Sequence, residues 1–294
     1  MNAVTFDALD TPPHARDDLD EPVAGSGQVL VRVSASSANP VDNAIAAGML
    51  AQMVEHDFPV TLGRDYAGVV EAVGDGVGDF AAGDEVFGFL THANPAVHDG
   101  SWAELIAVGA EQSIARAPQG VDLATAGAAP LTGVTALACV DAIDPQPGER
   151  VLIVGASGGV GSFAVQLAAQ AGASVIAPGL PEDEEYLAGL GAAAVMARGE
   201  APEADAVIDL VSYAPEDYGD ARVASPLNAA GDGPAHFNVG ARPTTENLDR
   251  LAGLLADGTL KVHIQATYEL GRAPEALQAL ASTHTQGKTA ISVG

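Results

Sequence analysis

The stretch Arg150-Val151-Leu152-Ile153-Val154-Gly155-Ala156-Ser157-Gly158-Gly159-Val160-Gly161 decides the fold of this chain. Its apolar run from Val151 to Val154 reads as a strand buried on both faces, the pattern of a central parallel strand. The glycine loop leads directly into an apolar helix expected from Val160 to about Ala171, followed by the strand Ser174-Val175-Ile176-Ala177. Strand, glycine turn, helix and strand make a βαβ unit whose helix N-terminus offers free N–H groups and a positive dipole end to a phosphate. Gly158 lets the backbone come close to a pyrophosphate, and Gly161 lets the helix pack tightly on the strand. Ala156 occupies the first glycine position of the usual G-x-G-x-x-G, so the strand–loop–helix context carries the reading. Ser157, Gly158, Gly159, Val160 and Gly161 are therefore the candidate cofactor-binding loop. A glycine turn in a βαβ unit that binds nothing is the competing reading.

Working outward, strands alternate with helices on the C-terminal side. A helix is expected over Glu182–Leu190, strands over Ala194–Met196 and Ala206–Asp209, a helix over Asn247–Ala256 and a strand over Lys261–Gln265. Upstream, Ala124–Val140 is alanine-rich and helical, with Pro130 and Gly133 marking a break. The first hundred residues are different. Short strands at Val29–Val33, Tyr66–Val73, Asp84–Phe89 and Trp102–Val108, separated by glycine turns, suggest a sandwich or small barrel. The tail carries a helix over Pro274–Ala281 and a last strand over Thr289–Val293. The fold class is α/β: a doubly wound parallel sheet domain at 122–265 beside a β-rich domain at 1–121.

Composition narrows the function. The 294 residues are 48% hydrophobic, enough for a packed core, and carry a formal net charge of −27. So acidic a surface argues against nucleic acid and anionic membranes as partners. The 39 acids are spread along the chain, and of 12 basic residues only Lys261 and Lys288 are lysine. That texture resembles cytosolic proteins of salt-loving organisms, in which concentrated salt screens the repulsion. The N-terminus lacks the basic start and apolar core of a signal peptide, and the uncharged run from Val151 to Pro181 is broken by glycines, so the protein is expected in the cytoplasm. A single cysteine, Cys139, excludes an internal disulfide and any multi-cysteine metal site.

Coenzyme choice depends on the end of the strand after the glycine loop. An acid there bonds the ribose 2′-hydroxyl of NADH and repels a 2′-phosphate. Here the strand runs into Pro178-Gly179-Leu180 with no acid until Glu182, so Gly179 favours NADPH, with NADH possible, although no Arg or Lys is near in sequence. Glu182–Glu185 reads as a solvated helix start. Tyr213 and Tyr218 follow the strand ending at Asp209 and border either an adenine or the core. His92 and His98, flanking Asn94-Pro95, read as surface histidines rather than metal ligands.

Several further segments carry a resemblance. Ser36-Ser37-Ala38-Asn39-Pro40-Val41-Asp42, Phe58-Pro59-Val60-Thr61-Leu62-Gly63-Arg64-Asp65, Gly83-Asp84-Glu85-Val86-Phe87-Gly88, Pro130-Leu131-Thr132-Gly133-Val134-Thr135-Ala136 and His284-Thr285-Gln286-Gly287-Lys288 resemble the medium-chain dehydrogenase/reductase superfamily, in its zinc-independent quinone oxidoreductase (zeta-crystallin-like) branch. The resemblance implies a GroES-like substrate domain, completed by the tail at 266–294, and a substrate cleft between it and the dinucleotide domain. It implies hydride transfer from a nicotinamide to a small-molecule quinone or activated alkene, and a homodimer. By position, Thr132 and Thr135 would lie by the nicotinamide, while Asn39 and Asp42 would line the cleft near the reacting carbon. Zinc-dependent relatives have a cysteine near Asn39 and Gly-His-Glu where this chain has Gly63-Arg64-Asp65, so no metal is expected. Ala44 stands where some quinone reductases carry a tyrosine.

The first functional reading is thus an NADPH-dependent, zinc-independent oxidoreductase acting on a quinone or related electrophile. An enoyl or alkenal reductase of the same superfamily is the second. A cofactor-binding redox sensor or structural protein without turnover is the reading from another class.

Overall fold

The computed structural model describes the chain apart from residues 10, 52, 54, 92–95, 97 and 201. The N-terminal part supplies β1 (Ala3–Phe6), β2 (His14–Arg16), β3 (Gln28–Ala38), the helix α1 (Pro40–Ala46), β4 (Val60–Thr61), β5 (Asp65–Val73), β6 (Glu85–Phe89), β7 (Leu105–Gly109) and β8 (Ala115–Arg116). β2, β1 and β4 form a small antiparallel sheet. β3 is the spine of a larger one, pairing with β5 and β7, and β5 continues to β6 and β8. Val29, Leu30, Val31 and Val33 of β3 are buried and only Arg32 is exposed, while Ala35 to Ala38 are buried throughout, so this spine strand is covered on both faces over most of its length. Gly68 lies opposite Val33, and a Cβ there would stand 2.0 Å from the Arg32 carbonyl, so only glycine lets these strands meet.

Next come α2 (Leu123–Ala126), α3 (Pro130–Ile143), β9 (Arg150–Val154), α4 (Gly159–Gln170), β10 (Ser174–Gly179), α5 (Glu184–Leu190), β11 (Ala194–Ala197), β12 (Ala206–Asp209), β13 (Arg222–Ser225), β14 (His236–Asn238) and α6 (Thr245–Ala256). The six strands are all parallel in the order β11-β10-β9-β12-β13-β14, the doubly wound order. Val151 and Ile153 point to one face, beneath α3, α4, α5 and α6; Leu152 points to the other with Ile176, Val207 and Val223. That second face is covered by Ala204, Tyr218, Ala221 and Ala230 from connecting segments, which form no helix among the described residues. The crossovers of the second half of the sheet are loops.

The tail contributes β15 (Ile264–Glu269), α7 (Ala273–Ser282) and β16 (Lys288–Ser292). β16 pairs antiparallel with β3 and parallel with β15, so the last strands extend the β3 sheet rather than the parallel one. Periodicity alone could not place them.

Three local expectations need correction. Lys261 is outside any strand: its N–H donates to Gln166 Oε1 at 2.8 Å and its carbonyl accepts from Gln166 Nε2 at 3.0 Å, so a side chain of α4 takes the bonds a sheet would. Trp102 also precedes its strand, because its backbone bridges Leu62 and Val4 at 2.8 Å each. Gly133 does not break α3. It sits inside the helix, where a Cβ would meet Leu251 Cδ1 at 2.6 Å, and its bareness lets α6 approach; the break is at Pro130 alone. His92 and Asn94-Pro95 lie outside the described residues, and His98 is exposed.

Candidate functional site

A cavity of about 730 Å³ opens at the C-terminal ends of the parallel strands, beside the neighbours β9 and β12, where the strand order reverses. Val154, Leu210, Val211, Pro226 and Leu227 line it from the parallel-sheet side. Ala38, Asn39, Pro40, Lys288 and Thr289 line it from the β3 sheet and its tail. Such a crevice at a topological switch point is the usual ligand position in open α/β sheets. Two other cavities, one beside Asn2 and Gly294 and one beside Phe80 and Arg116, lie apart from the glycine loop.

The loop is shaped as a cradle. Gly155 turns out of β9 with φ +86°, a region that glycine enters without strain. A Cβ on Gly161 would lie 2.2 Å from the Gly155 carbonyl, so α4 can pack on the loop only with glycine there. On Gly158 a Cβ would meet nothing closer than the Gly155 carbonyl at 3.6 Å, because that position faces open space. Gly158 caps α4 without a side-chain hydrogen bond, and the first N–H groups of the helix have no intrahelical acceptor. An anion fits that helix end. Ser157, Gly158, Gly159, Val160 and Gly161 all line the cavity, as does Thr132. Thr135 does not; its hydroxyl donates to the Leu131 carbonyl at 2.6 Å within α3.

At the opposite end is a buried polar cluster. Asp65 is its hub. Its Oδ1 accepts from the Leu131 N–H at 2.6 Å, and its Oδ2 accepts from Ser37 Oγ at 2.6 Å and Asn39 Nδ2 at 2.8 Å. Lys288 Nζ donates to Asn39 Oδ1 at 2.6 Å and lies 3.5 Å from Asp65 Oδ2. Burial lowers the pKa of Lys288, opposed by the charges of Asp65 and Asp42. Asn39 lines the cavity. Asp42 does not; it is fully buried behind Asn39, whose N–H donates to Asp42 Oδ2 at 2.8 Å, and its Oδ1 has no partner. Burial raises the Asp42 carboxyl to about 7, although Arg64 pulls it down. Arg64, itself buried, is held by the carbonyls of Thr61, Thr91 and Asp99. Among the described residues no three His, Cys, Asp or Glu side chains converge on a metal position. Burial pushes the Cys139 thiol up to about 12, so it is no nucleophile at neutral pH.

The end of the cavity beside β10 holds what the sequence did not disclose. Pro178 lines the cavity but Gly179 does not; a Cβ on Gly179 would lie 3.2 Å from Asp183 Cβ and Oδ2. Asp183 is not a solvated helix-start acid. It is buried, and accepts from the Leu180 N–H at 2.9 Å and from Gln286 Nε2 at 2.9 Å. Burial pushes its pKa up, but these bonds and that from His284 outweigh it and hold the carboxyl low. Arg198 lines the cavity and contacts His284 Nδ1 at 2.9 Å. The absence of a nearby cation was therefore an illusion of sequence distance. β10 and β11 are in parallel register with Gly179 opposite Ala197, which sets Arg198 beside the end of β10. Tyr218 donates to Asp209 Oδ2 at 2.8 Å, and Tyr213 is exposed. Lys288 had a sequence signal, as one of two lysines in the chain; Arg198 had none.

Residues 25–119 match the alcohol dehydrogenase GroES-like domain family, and residues 207–291 match the zinc-binding dehydrogenase family. A chloroplast envelope quinone oxidoreductase homolog of Arabidopsis thaliana is 38% identical over 184 residues, 60% of this chain and 54% of that protein, so the match spans about half the length of that curated relative. A human mitochondrial NAD(P)H oxidoreductase is 26% identical over 328 residues, 90% of this chain and 82% of the relative. The crystal structure of an alcohol dehydrogenase superfamily protein from Novosphingobium aromaticivorans superposes with a TM-score of 0.84 over 100% of both chains, at 30% identity. With likeness in sequence and fold along its whole length, this chain belongs to the medium-chain dehydrogenase/reductase superfamily, the alcohol dehydrogenase superfamily of that structure.

Proposed function

We propose that this protein is an NADPH-dependent oxidoreductase that delivers hydride to a quinone or related electrophile without a metal ion. The observation that carries the reading is the single cleft running from an uncapped helix N-terminus to a buried lysine, with one arginine at its far edge. Bound there, the reduced dinucleotide supplies the hydride. Ser157 to Gly161 would hold its pyrophosphate through the N–H groups at the start of α4. Arg198 would meet the 2′-phosphate, since the ring of His284 holds its guanidinium at the cavity wall. Thr132, Asn39 and Lys288 would border the nicotinamide end. The apolar lining at Val154, Leu210 and Leu227 excludes water and suits a flat aromatic ligand. Arg64 supports the metal-free reading, because its guanidinium, bound to the carbonyls of Thr61, Thr91 and Asp99, is no metal ligand and sets a positive charge near Asp42.

The test is turnover. Purified protein with NADPH and a simple naphthoquinone should oxidise the coenzyme at a rate unchanged by exhaustive chelation, and faster than with a 2-alkenal. Failure to bind either dinucleotide would end the reading. Activity lost with a stoichiometric zinc would overturn its metal-free part.

A further inference from the structure

Lys288 is an unusual expenditure of charge. The chain has two lysines, and this one is buried to 3% exposure inside the cleft wall. A lysine is rarely buried so fully without a strong partner, because removing its ammonium from water costs several kcal/mol. Here the partners are arranged oddly. Of its three N–H donors only one makes a short bond, to Asn39 Oδ1 at 2.6 Å; the Ala38 carbonyl and Asp65 Oδ2 each stand at 3.5 Å. Asp65, the nearest negative charge, already accepts from Ser37, Asn39 and Leu131. The ammonium is thus held in place by Asn39, while its two long bonds, to Ala38 and Asp65, are weak enough to be exchanged for one to an acceptor oxygen.

Its position is set by the dinucleotide loop. The Gly287 N–H donates to the Ser157 carbonyl at 2.8 Å, and a Cβ on Gly159 would touch Lys288 Cδ and Thr132 Cγ2 at 3.0 Å each. The methylene stem therefore lies against the start of α4, and the ammonium lies beyond it toward Asn39. An acceptor stacked beside a dinucleotide on that loop would bring its oxygen to this cation.

We propose that Lys288 is a catalytic residue: its ammonium faces the carbonyl oxygen of the electron acceptor, stabilises the negative charge that develops there and gives that oxygen its proton. The inference rests on the dinucleotide-dependent reading above. Hydride, two electrons and one proton, would leave a C–H bond of the reduced dinucleotide and form a new bond at the far end of the acceptor's conjugated system, whose π pair moves onto the carbonyl oxygen facing Lys288. The N–H bond of Lys288 then breaks as the O–H bond of the product forms, and water returns a proton to the neutral amine. Burial makes the ammonium a readier acid than a surface lysine. The charged groups facing it are Asp65 from β5 and Asp42 from α1.

The experiment uses an oxyanion probe as well as turnover. Protein saturated with NADP⁺ is titrated with 4-nitrophenol, whose anion is followed by absorbance, and competition with the quinone locates it. The wild type should take the nitrophenolate at least about tenfold more tightly than the neutral phenol, the preference that one facing cation gives. Lys288→Met should lose that preference and about 100-fold in kcat, with NADPH binding within a few-fold of wild type, which also shows the variant is folded. Lys288→Arg, which retains the charge should Met fail to fold, should keep the preference while losing kcat, because guanidinium does not give up a proton. A wild type that shows no competitive preference for nitrophenolate, or a folded Lys288→Met that retains it, overturns the inference. Absence of NADPH binding by the wild type would instead sink the dinucleotide reading.

Discussion

His284 Nε2 stands 2.6 Å from Asp183 Oδ1, and this contact ties the closing segment of the chain to the turn after β10, 101 residues away. The roles follow from the neighbours. Asp183 can only accept and Arg198 can only donate, so the two contacts fit a ring that donates from Nε2 and accepts at Nδ1. Asp183 thus orients His284, and His284 orients Arg198 at the cavity wall. Arg198→Ala should raise the Kd for NADPH by about 10- to 100-fold, the worth of a charge-assisted contact, and leave NADH nearly unchanged. Fluorescence titration with the two coenzymes decides it; equal losses for both would mean that Arg198 does not read the 2′-phosphate.

The glycine loop separates binding from folding at two positions three residues apart. Gly158→Val places its side chain in open cavity, so the variant should fold normally and bind dinucleotide at least about tenfold more weakly. Gly161→Ala forces a Cβ to within 2.2 Å of a backbone carbonyl and should cost about 2 kcal/mol or more of stability. Thermal melts and coenzyme titration of both variants check the pair. A Gly158→Val protein with unchanged affinity would refute the loop as the pyrophosphate site.

Asp42 should leave a signature in the pH dependence of stability. In the folded chain it keeps its proton up to about pH 7, whereas an unfolded aspartate releases it near about pH 4. Between those values the folded state binds more protons, so this group's contribution is fully present below about pH 4 and is lost as pH rises through 7. Asp42→Asn keeps a neutral acceptor for the Asn39 N–H and cannot ionise. It should gain on the wild type by up to about 1.4 kcal/mol per pH unit across the window. Denaturant midpoints of the two proteins between pH 4.5 and about 8 at constant salt give the answer; a constant difference would contradict the raised proton affinity.

Salt should stabilise the protein. Arg32, Arg116, Arg250 and Arg272 each already pair with one acid at the surface, and such exposed pairs contribute about 1 kcal/mol at most. The remaining excess of a −27 chain repels itself. The Debye length falls from about 10 Å at 0.1 M to about 3 Å at 1 M, which removes most of that repulsion. Melting temperature should therefore climb from dilute buffer into molar KCl. A flat or falling series between about 0.1 and 2 M would give the acidic surface another origin.

How much of this was legible in the chain itself depends on the range of the forces involved. Local patterns carried the parallel strand at Val151–Val154, the glycine cradle at Gly158–Gly161 and the two-part architecture, because apolar periodicity and glycine sterics act over a few residues. The same patterns misplaced Lys261 and Gly133, where the partners, Gln166 and Leu251, are remote in sequence. The resemblance sent the tail back to the β-rich domain, but only the tertiary structure decided three things: that it pairs there through β16 with β3, that Asp183 is buried under His284, and that strand register brings Arg198 to the end of β10. The buried charge of Lys288 is of the same kind. Nothing adjacent to Lys288 in the chain marks its environment; Asn39 and Asp65 reach it from more than two hundred residues away. A titratable group takes its chemistry from whatever the fold sets within a few ångströms, and that neighbourhood is assembled by packing rather than by sequence order.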